Sequence, residues 1–231
     1  MLIFGHRGAA GLAPENTLLS VRRALEFGAN GIEVDVHFVD GRLIVMHDDT
    51  VNRTTNGRGR LADFRFGQLR ALDAGLGEVI PTLEEIVELM PRGKILNVEL
   101  KGKGTAIPVG ELFNRLIRQG GWRASDTLVS SFEPSELRPL SNCEFPLAIL
   151  FTRPPRDFFG IAKNLGATAV NPQRRFATAP FICAAHENGL RVFPYTANLS
   201  RDIQRLYKEG VDGLFTDFPD RAAAVVSSSL S

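Results

Sequence analysis

Residues 31–36, Gly-Ile-Glu-Val-Asp-Val, alternate apolar and acidic side chains, and residues 95–101, Ile-Leu-Asn-Val-Glu-Leu-Lys, repeat the pattern further along. A period of two is the mark of a strand, and Gly31, Ile32, Val34 and Val36 suit a buried one. Glu33 and Asp35 then share a face, where two carboxylates repel unless a proton or a cation lies between them. Facing solvent or pairing with arginines is the bland alternative, but in a buried strand unpaired carboxylates are costly. Glu99, on the strand expected beside it, brings a third carboxylate. Glu33, Asp35 and Glu99, with no thiolate among them, describe an oxygen-only site for one hard divalent cation, Mg2+ or Ca2+ rather than Zn2+.

Outward from these two segments, short apolar runs alternate with longer stretches of helical periodicity, which argues for parallel strands joined by helical crossovers. The expected strands are 2–5, 31–36, 95–100, 127–131, 146–151, 167–171, 191–195 and 213–216, and eight such units make a (β/α)8 TIM barrel of class α/β. Between 16 and 27 apolar residues recur at helical spacing, with Asn16 or Thr17 as cap. Pro81-Thr82-Leu83-Glu84-Glu85 reads as a second helix start, with Thr82 and Glu85 forming a capping box. One departure interrupts the alternation. A strand at 42–46 turns back on the second strand, and a polar, Gly- and Arg-rich stretch follows, so that 48–80 is read as a small insertion capping the barrel mouth. The whole of 1–231 is taken as one domain, with a serine-rich tail from Ser227 expected to fray.

At 231 residues and 44% hydrophobic composition the chain can bury one sizeable core. Lys plus Arg number 27 against 26 Asp plus Glu, so no broad positive surface exists for a polyanion, and nucleic acid is not an expected partner. Cys143 and Cys183 lack metal-site company and are read as two buried free thiols in a reducing, cytoplasmic setting. Every apolar run ends short of the ~18 residues a membrane span needs, so neither a leader nor a stable membrane association is expected.

In such a barrel the active site is assembled from the C-terminal ends of the strands, and the polar residues here gather at those ends. The first strand runs into Gly5-His6-Arg7-Gly8, the fourth into Ser130-Ser131-Phe132, and the seventh into Tyr195-Thr196-Ala197-Asn198. Whether His47 joins them depends on the turn at Asp40-Gly41. A three-residue loop, Val39 to Gly41, sets Phe38 opposite Arg42 and His47 opposite Glu33; a two-residue loop sets His47 opposite Val34, on the wrong face. The three-residue loop is the expectation. His37 and His186 lack carboxylate neighbours and are read as structural. Arg7 and Lys101 would put positive charge beside the carboxylates, as ion-pair partners, as phosphate contacts, or as both. Two imidazoles that can serve as base and acid, a hard cation and two fixed cations suit a phosphodiester.

The chain resembles the glycerophosphodiester phosphodiesterases of the bacterial cytoplasmic type. The resemblance runs through His6-Arg7-Gly8, Pro14-Glu15-Asn16-Thr17, Glu33-Val34-Asp35, His47-Asp48-Asp49-Thr50 with Arg53-Thr54-Thr55, Pro81 to Glu85, and Asn97 to Lys101. It continues weakly through Ser131-Phe132, Tyr195 to Asn198, and Asp212 to Asp217. It implies hydrolysis of small glycerophosphodiesters to sn-glycerol 3-phosphate and an alcohol. His6 and His47 would be the acid and base, Glu33, Asp35 and Glu99 the metal ligands, and Arg7 and Lys101 phosphate contacts. Phe132 and Tyr195 would support the glycerol. Two departures bear on substrate choice: Tyr195 stands where relatives commonly have Trp, and only Leu76 to Ile80 remains of a segment that is longer in many of them. Lysophospholipase D-like cleavage of lipid diesters and a catalytically silent, phosphodiester-binding barrel are the rival readings. Head group, native metal and the choice between monomer and homo-oligomer stay open.

Overall fold

A computed structural model describes residues 1–228. Strands β1 (Leu2–Gly5), β2 (Gly31–Val39), β3 (Arg42–Val45), β4 (Ile95–Leu100), β5 (Thr127–Ser131), β6 (Leu147–Phe151), β7 (Ala169–Pro172), β8 (Arg191–Val192) and β9 (Gly213–Thr216) form one sheet. Its order is β8-β7-β6-β5-β4-β2-β1-β9, all parallel, with β3 antiparallel on β2. The helices are α1 (Leu18–Glu26), α2 (Phe66–Arg70), α3 (Leu83–Leu89), α4 (Ala106–Arg118) and α5 (Pro134–Leu137). They continue with α6 (Phe158–Leu165), α7 (Ala179–Glu187), α8 (Ser200–Glu209) and α9 (Pro219–Ser228). The result is the expected barrel of eight parallel strands alternating with helices.

The least regular strand is β8, expected to run to Tyr195 but paired as a ladder only at Arg191 and Val192. Toward β7 the bonding continues, Phe193 N donating to Val170 O at 2.9 Å and Tyr195 N to Pro172 O at 3.0 Å; toward β9 Pro194 brings no N–H, so no continuous ladder forms on that side. Its carbonyl still accepts from Phe215 N at 3.0 Å; Asp212 N to Val192 O at 3.1 Å and Ala197 N to Phe215 O at 2.8 Å complete a sparse seam to β9.

Strand parity sorts the core into two layers. On β2, Ile32, Val34 and Val36 point outward into the helices with Val21, Ala24, Leu83 and Phe113, while Glu33 and Asp35 point into the barrel. The barrel's floor is Phe4, Leu128, Ala148, Ala169, Phe193 and Phe215, with Phe4 lying 5.3 Å from Phe193 and 5.1 Å from Phe215 between ring centroids. Above this dry floor the inward residues turn polar.

Local chemistry sets the helix starts. Thr17, not Asn16, caps α1, and Thr82 caps α3 through the expected box, Thr82 N donating to Glu85 and Glu85 N to Thr82 Oγ1. Gly8 (φ +80°) lies so close to α1 that a Cβ there would meet Ser20 at 2.4 Å, which ties the end of β1 to that helix. Residues 48–80 bury a small cluster of their own, in which Val51, Leu61, Leu69 and Ile80 pack on Ile44 and Met46 of the hairpin. Arg70 pins it to α3 through a bidentate pair with Glu85 at 2.8 Å.

The expectation of two buried thiols is corrected: both cysteines are free, but Cys143 is half-buried and Cys183 exposed, on the outer side of α7. Ser227 and Ser228 close α9, and the rest of the serine-rich tail lies outside the described residues. Among the described residues no helix is long and apolar enough to cross a membrane.

Candidate active site

Register brings the three carboxylates together. Glu33 and Asp35 are two apart on β2, and Asp35 pairs across the ladder with Glu99 on β4. One ligand oxygen from each lies within 4.8 Å of the others, and all three residues are buried. Asn16 (φ +58°), freed from capping, turns inward and donates to Asp35 Oδ2 at 2.9 Å. Arg7 holds both β2 carboxylates, its backbone N donating to Glu33 Oε2 at 2.8 Å and its Nε lying 3.2 Å from Asp35 Oδ2. Lys101 Nζ donates to Glu99 Oε1 at 2.8 Å and stands 3.8 Å from Asp35 Oδ1.

Two oxygens remain over. Glu33 Oε1 and Asp35 Oδ1 are buried without a hydrogen-bond partner among the described residues. Burial, then the charge of Asp35, pushes the Glu33 carboxyl up to about 8, and the same causes raise Glu99 against the pull of Lys101. Orphaned buried oxygens on a self-repelling carboxylate cluster fit a bound hard cation, which would occupy the place where protons otherwise collect.

His47 reaches this cluster by a bend in the chain and not by the expected three-residue hairpin loop. The turn at Asp40-Gly41 is the two-residue kind, with both residues at positive φ, and Val39 pairs with Arg42 and Val36 with Val45. Extended regularly, that register would place His47 opposite Val34, facing the helices. Instead the ladder stops after Met46 N donates to Asp35 O, and the chain bends so that His47 borders the same cavity as Glu33 and Glu99.

Each imidazole is held at Nδ1 by a carboxylate. His6, just past β1, pairs with Asp217 at 2.7 Å, and Asn198 holds Asp217 in turn. His47 pairs with Asp48 at 2.7 Å, while its Nε2 accepts from Lys101 Nζ at 3.1 Å, which makes it the neutral, proton-accepting nitrogen. Burial works against protonating both rings. At His6 the Asp217 hydrogen bond and the Glu33 charge outweigh it and the pKa rises; at His47 burial prevails over Asp35 and Asp48 and the pKa falls. The two pKa values are thus displaced in opposite directions from the usual imidazole value.

A chain of ion pairs joins the two halves of the site. Arg7 donates to Glu15 at 2.7 Å, Arg53 grips Glu15 at 2.7 and 2.8 Å and Asp48 at 2.7 and 2.9 Å, and Asp48 holds His47. Glu15, Asp48, Arg53 and Asp217 stood in the motifs quoted from the sequence without a role; their spacing could not disclose that they meet. Asn16 was read only as a cap. His37 and His186 are structural, bonded to His47 O at 3.3 Å and Asp212 at 2.8 Å.

The cavity, about 170 Å³, is bordered by all the sequence-proposed residues except Asp35, which is buried. Phe132 and Tyr195 make its aromatic wall, edge to face at 5.8 Å. Arg58, Arg60 and Arg65 do not border it, and Arg65 is drawn to Asp40 of the hairpin turn.

The model of the glycerophosphoryl diester phosphodiesterase family matches residues 6–221. A glycerophosphodiester phosphodiesterase of Caldanaerobacter subterraneus subsp. tengcongensis is 33% identical, with 95% of each chain covered. One of Bacillus altitudinis is 35% identical over 96% of this chain and 97% of its own. The solved structure of an Oleispira antarctica phosphodiesterase in complex with the product sn-glycerol-3-phosphate superposes with a TM-score of 0.88 at 27% identity, covering 98% of this chain and 97% of that one. Fold, site and relatives together make the chain a barrel phosphodiesterase, and the silent-barrel alternative lapses. It belongs to the glycerophosphoryl diester phosphodiesterase family, as its motifs implied.

Proposed function

We propose that this enzyme hydrolyses small glycerophosphodiesters to sn-glycerol 3-phosphate and an alcohol, using His47 as base, His6 as acid, and one Mg2+ or Ca2+ ion on Glu33, Asp35 and Glu99. The observation that carries the reading is the pair of imidazoles, each fixed at Nδ1 by its own carboxylate and both bordering the cavity of the acidic cluster. When bound, the cation supplies Lewis-acid stabilisation of charge on the phosphoryl oxygens. Arg7 and Lys101, anchored by the cluster, hold the non-bridging oxygens of the diester. His47 Nε2 takes the proton of the glycerol 2-hydroxyl as its oxygen attacks phosphorus, and protonated His6 gives a proton to the departing alcohol. The rings then exchange roles, His6 taking a proton from water and His47 returning one to the 2-oxygen as the cyclic phosphate opens. Phe132 and Tyr195 carry the glycerol face, leaving the head group toward solvent. The free cysteines support a cytoplasmic setting.

The test is release of glycerol 3-phosphate from a panel of glycerophosphodiesters, before and after chelation. Chelation should abolish turnover, and Mg2+ or Ca2+ should restore it. Undiminished activity in chelator, or in a Glu33→Gln, Asp35→Asn double variant, would sink the metal assignment.

One observation favours a second activity on lysophospholipid diesters. Leu12, Phe132 and Leu199, on loops that follow strand C-termini, are exposed, as is Leu76 at 81% in the insertion between α2 and α3. An acyl chain could lie on such residues. Choline release from lysophosphatidylcholine, beside that from glycerophosphocholine, decides the matter.

A further inference from the structure

Asn171 takes no part in the mechanism above, and its setting is unusual. It lies on β7, is fully buried, and borders the catalytic cavity. Neither Oδ1 nor Nδ2 has a hydrogen-bond partner among the described residues. An amide buried this deeply without partners is destabilising, because a desolvated donor and acceptor both go unmet, unless something in the cavity meets it. In strand order β7 stands four strands from β2 either way round the barrel, so Asn171 faces the acidic cluster from the opposite wall. Tyr195, half of the aromatic wall, is on the segment following β8, next to β7.

The chemistry of the free atoms narrows the ligand. A phosphate oxygen accepts only and an ammonium donates only, and either would leave one end of the amide unmet. A hydroxyl donates and accepts, and satisfies both ends. Depth narrows it further. The apolar floor of Phe193 and Phe215 lies beneath, so the head group, which varies in size and must leave, cannot be the part that reaches Asn171. The small end of the substrate can.

We propose that Asn171 is a specificity-determining residue that receives the terminal (sn-1) hydroxyl of the glycerol moiety, giving to its oxygen from Nδ2 and accepting its proton at Oδ1. The inference rests on the glycerophosphodiester reading above and deepens it. With phosphate held at one wall and this hydroxyl at the other, the 2-hydroxyl between them is carried toward His47. An aliphatic alcohol of the same length would leave the amide unpaired and be discriminated against, and so would a glycerol acylated at this hydroxyl, so that rapid choline release from 1-acyl lysophosphatidylcholine would count against the assignment.

The experiment is a cycle between protein and substrate: parent and Asn171→Ala, each on glycerophosphocholine and on its analogue with the terminal hydroxyl replaced by hydrogen, the 2-hydroxyl retained. In the parent, losing the hydroxyl should lower kcat/KM roughly 10- to 100-fold. In Asn171→Ala, glycerophosphocholine should fall by a similar factor while the deoxy analogue changes less than about threefold, so that the two losses do not add. Equal losses on both substrates mean that Asn171 only supports the wall, and unchanged rates on both mean that water satisfies it; either overturns the proposal. A parent that releases choline from neither substrate overturns the glycerophosphodiester reading, and this inference with it. Should the alanine variant not fold, the near-isosteric Asn171→Asp, which loses the Nδ2 donor, is expected to show the same selective loss.

Discussion

His6 and His47 carry the same ring, and in the proposed mechanism their neighbours give each its task. Asp217 supports the protonated form of His6, so replacing it by Asn should lower that pKa and move the alkaline limb of the kcat/KM profile to lower pH. Asp48→Asn removes a group that raises the His47 pKa and should move the acid limb to lower pH, with a loss of roughly 10- to 100-fold as the ring loses its anchor. Limbs that stay in place in both variants would dissolve the assignment of acid and base. His6→Ala and His47→Ala should each cost ~100-fold or more on a good substrate. Glu33 offers a test without turnover. In metal-free protein its folded pKa is raised to about 8, above the unfolded value, so its contribution to stability is full below the unfolded pKa and is lost as pH rises through about 8. In chelator, Glu33→Gln should melt close to the parent near about pH 5 and above it near about pH 9. With Mg2+ or Ca2+ present the order should reverse, because the variant loses a ligand. A variant that melts below the parent at alkaline pH in chelator would contradict the buried, self-repelling cluster.

Between residue and whole stand the elements that carry the site's halves. Glu15, on the loop after β1, and Asp48, in the bend after β3, come from different connections, and Arg53 clasps both while itself 47% exposed. Exposed ion pairs contribute little to stability, so Arg53→Ala should cost less than about 2 kcal/mol for the pair of contacts. Its expected effect is on geometry. Without the clasp the bend carrying His47 keeps only the Lys101 contact to its ring and the His37 bond to its carbonyl, and kcat should fall about tenfold or more, with a smaller change in KM. Arg53→Lys, which keeps the charge and loses the bidentate fork, should recover little of it. Normal kcat in both variants would make the network a surface ornament.

Across the whole molecule, chemistry lies at the strand ends and selectivity falls to the loops above them. The stretch from Leu76 to Ile80 is brief, and Arg58, Arg60 and Arg65 of the insertion stay clear of the cavity. The leaving-group side therefore has little with which to discriminate. Glycerophosphocholine, glycerophosphoethanolamine and glycerophosphoglycerol should be cleaved with kcat/KM values within about tenfold of one another, ~1.4 kcal/mol of differential transition-state binding. A hundredfold preference for an anionic head group would mean that Arg58, Arg60 or Arg65 swings over the mouth after all.

Alternation along 31–36 and 95–101 was enough, without any coordinates, to place carboxylates on the inner face of neighbouring strands, because side-chain parity is a local property of an extended chain. The capping box at Thr82 and Glu85 was legible for the same reason, its partners being three residues apart. What the tertiary structure alone decided is where the chain departs from regularity and what meets across it. Hairpin parity would have sent His47 outward, and the bend after Met46, packed on its own small cluster, brings it in. The seam at β8 is thin because Pro194 sits where a ladder would continue. Asp217 reaches His6 across 211 residues of chain, and Asn171 faces the acidic cluster only because the sheet curls until β7 stands opposite β2. Contacts of that kind follow from the closure of the barrel, which no local pattern encodes.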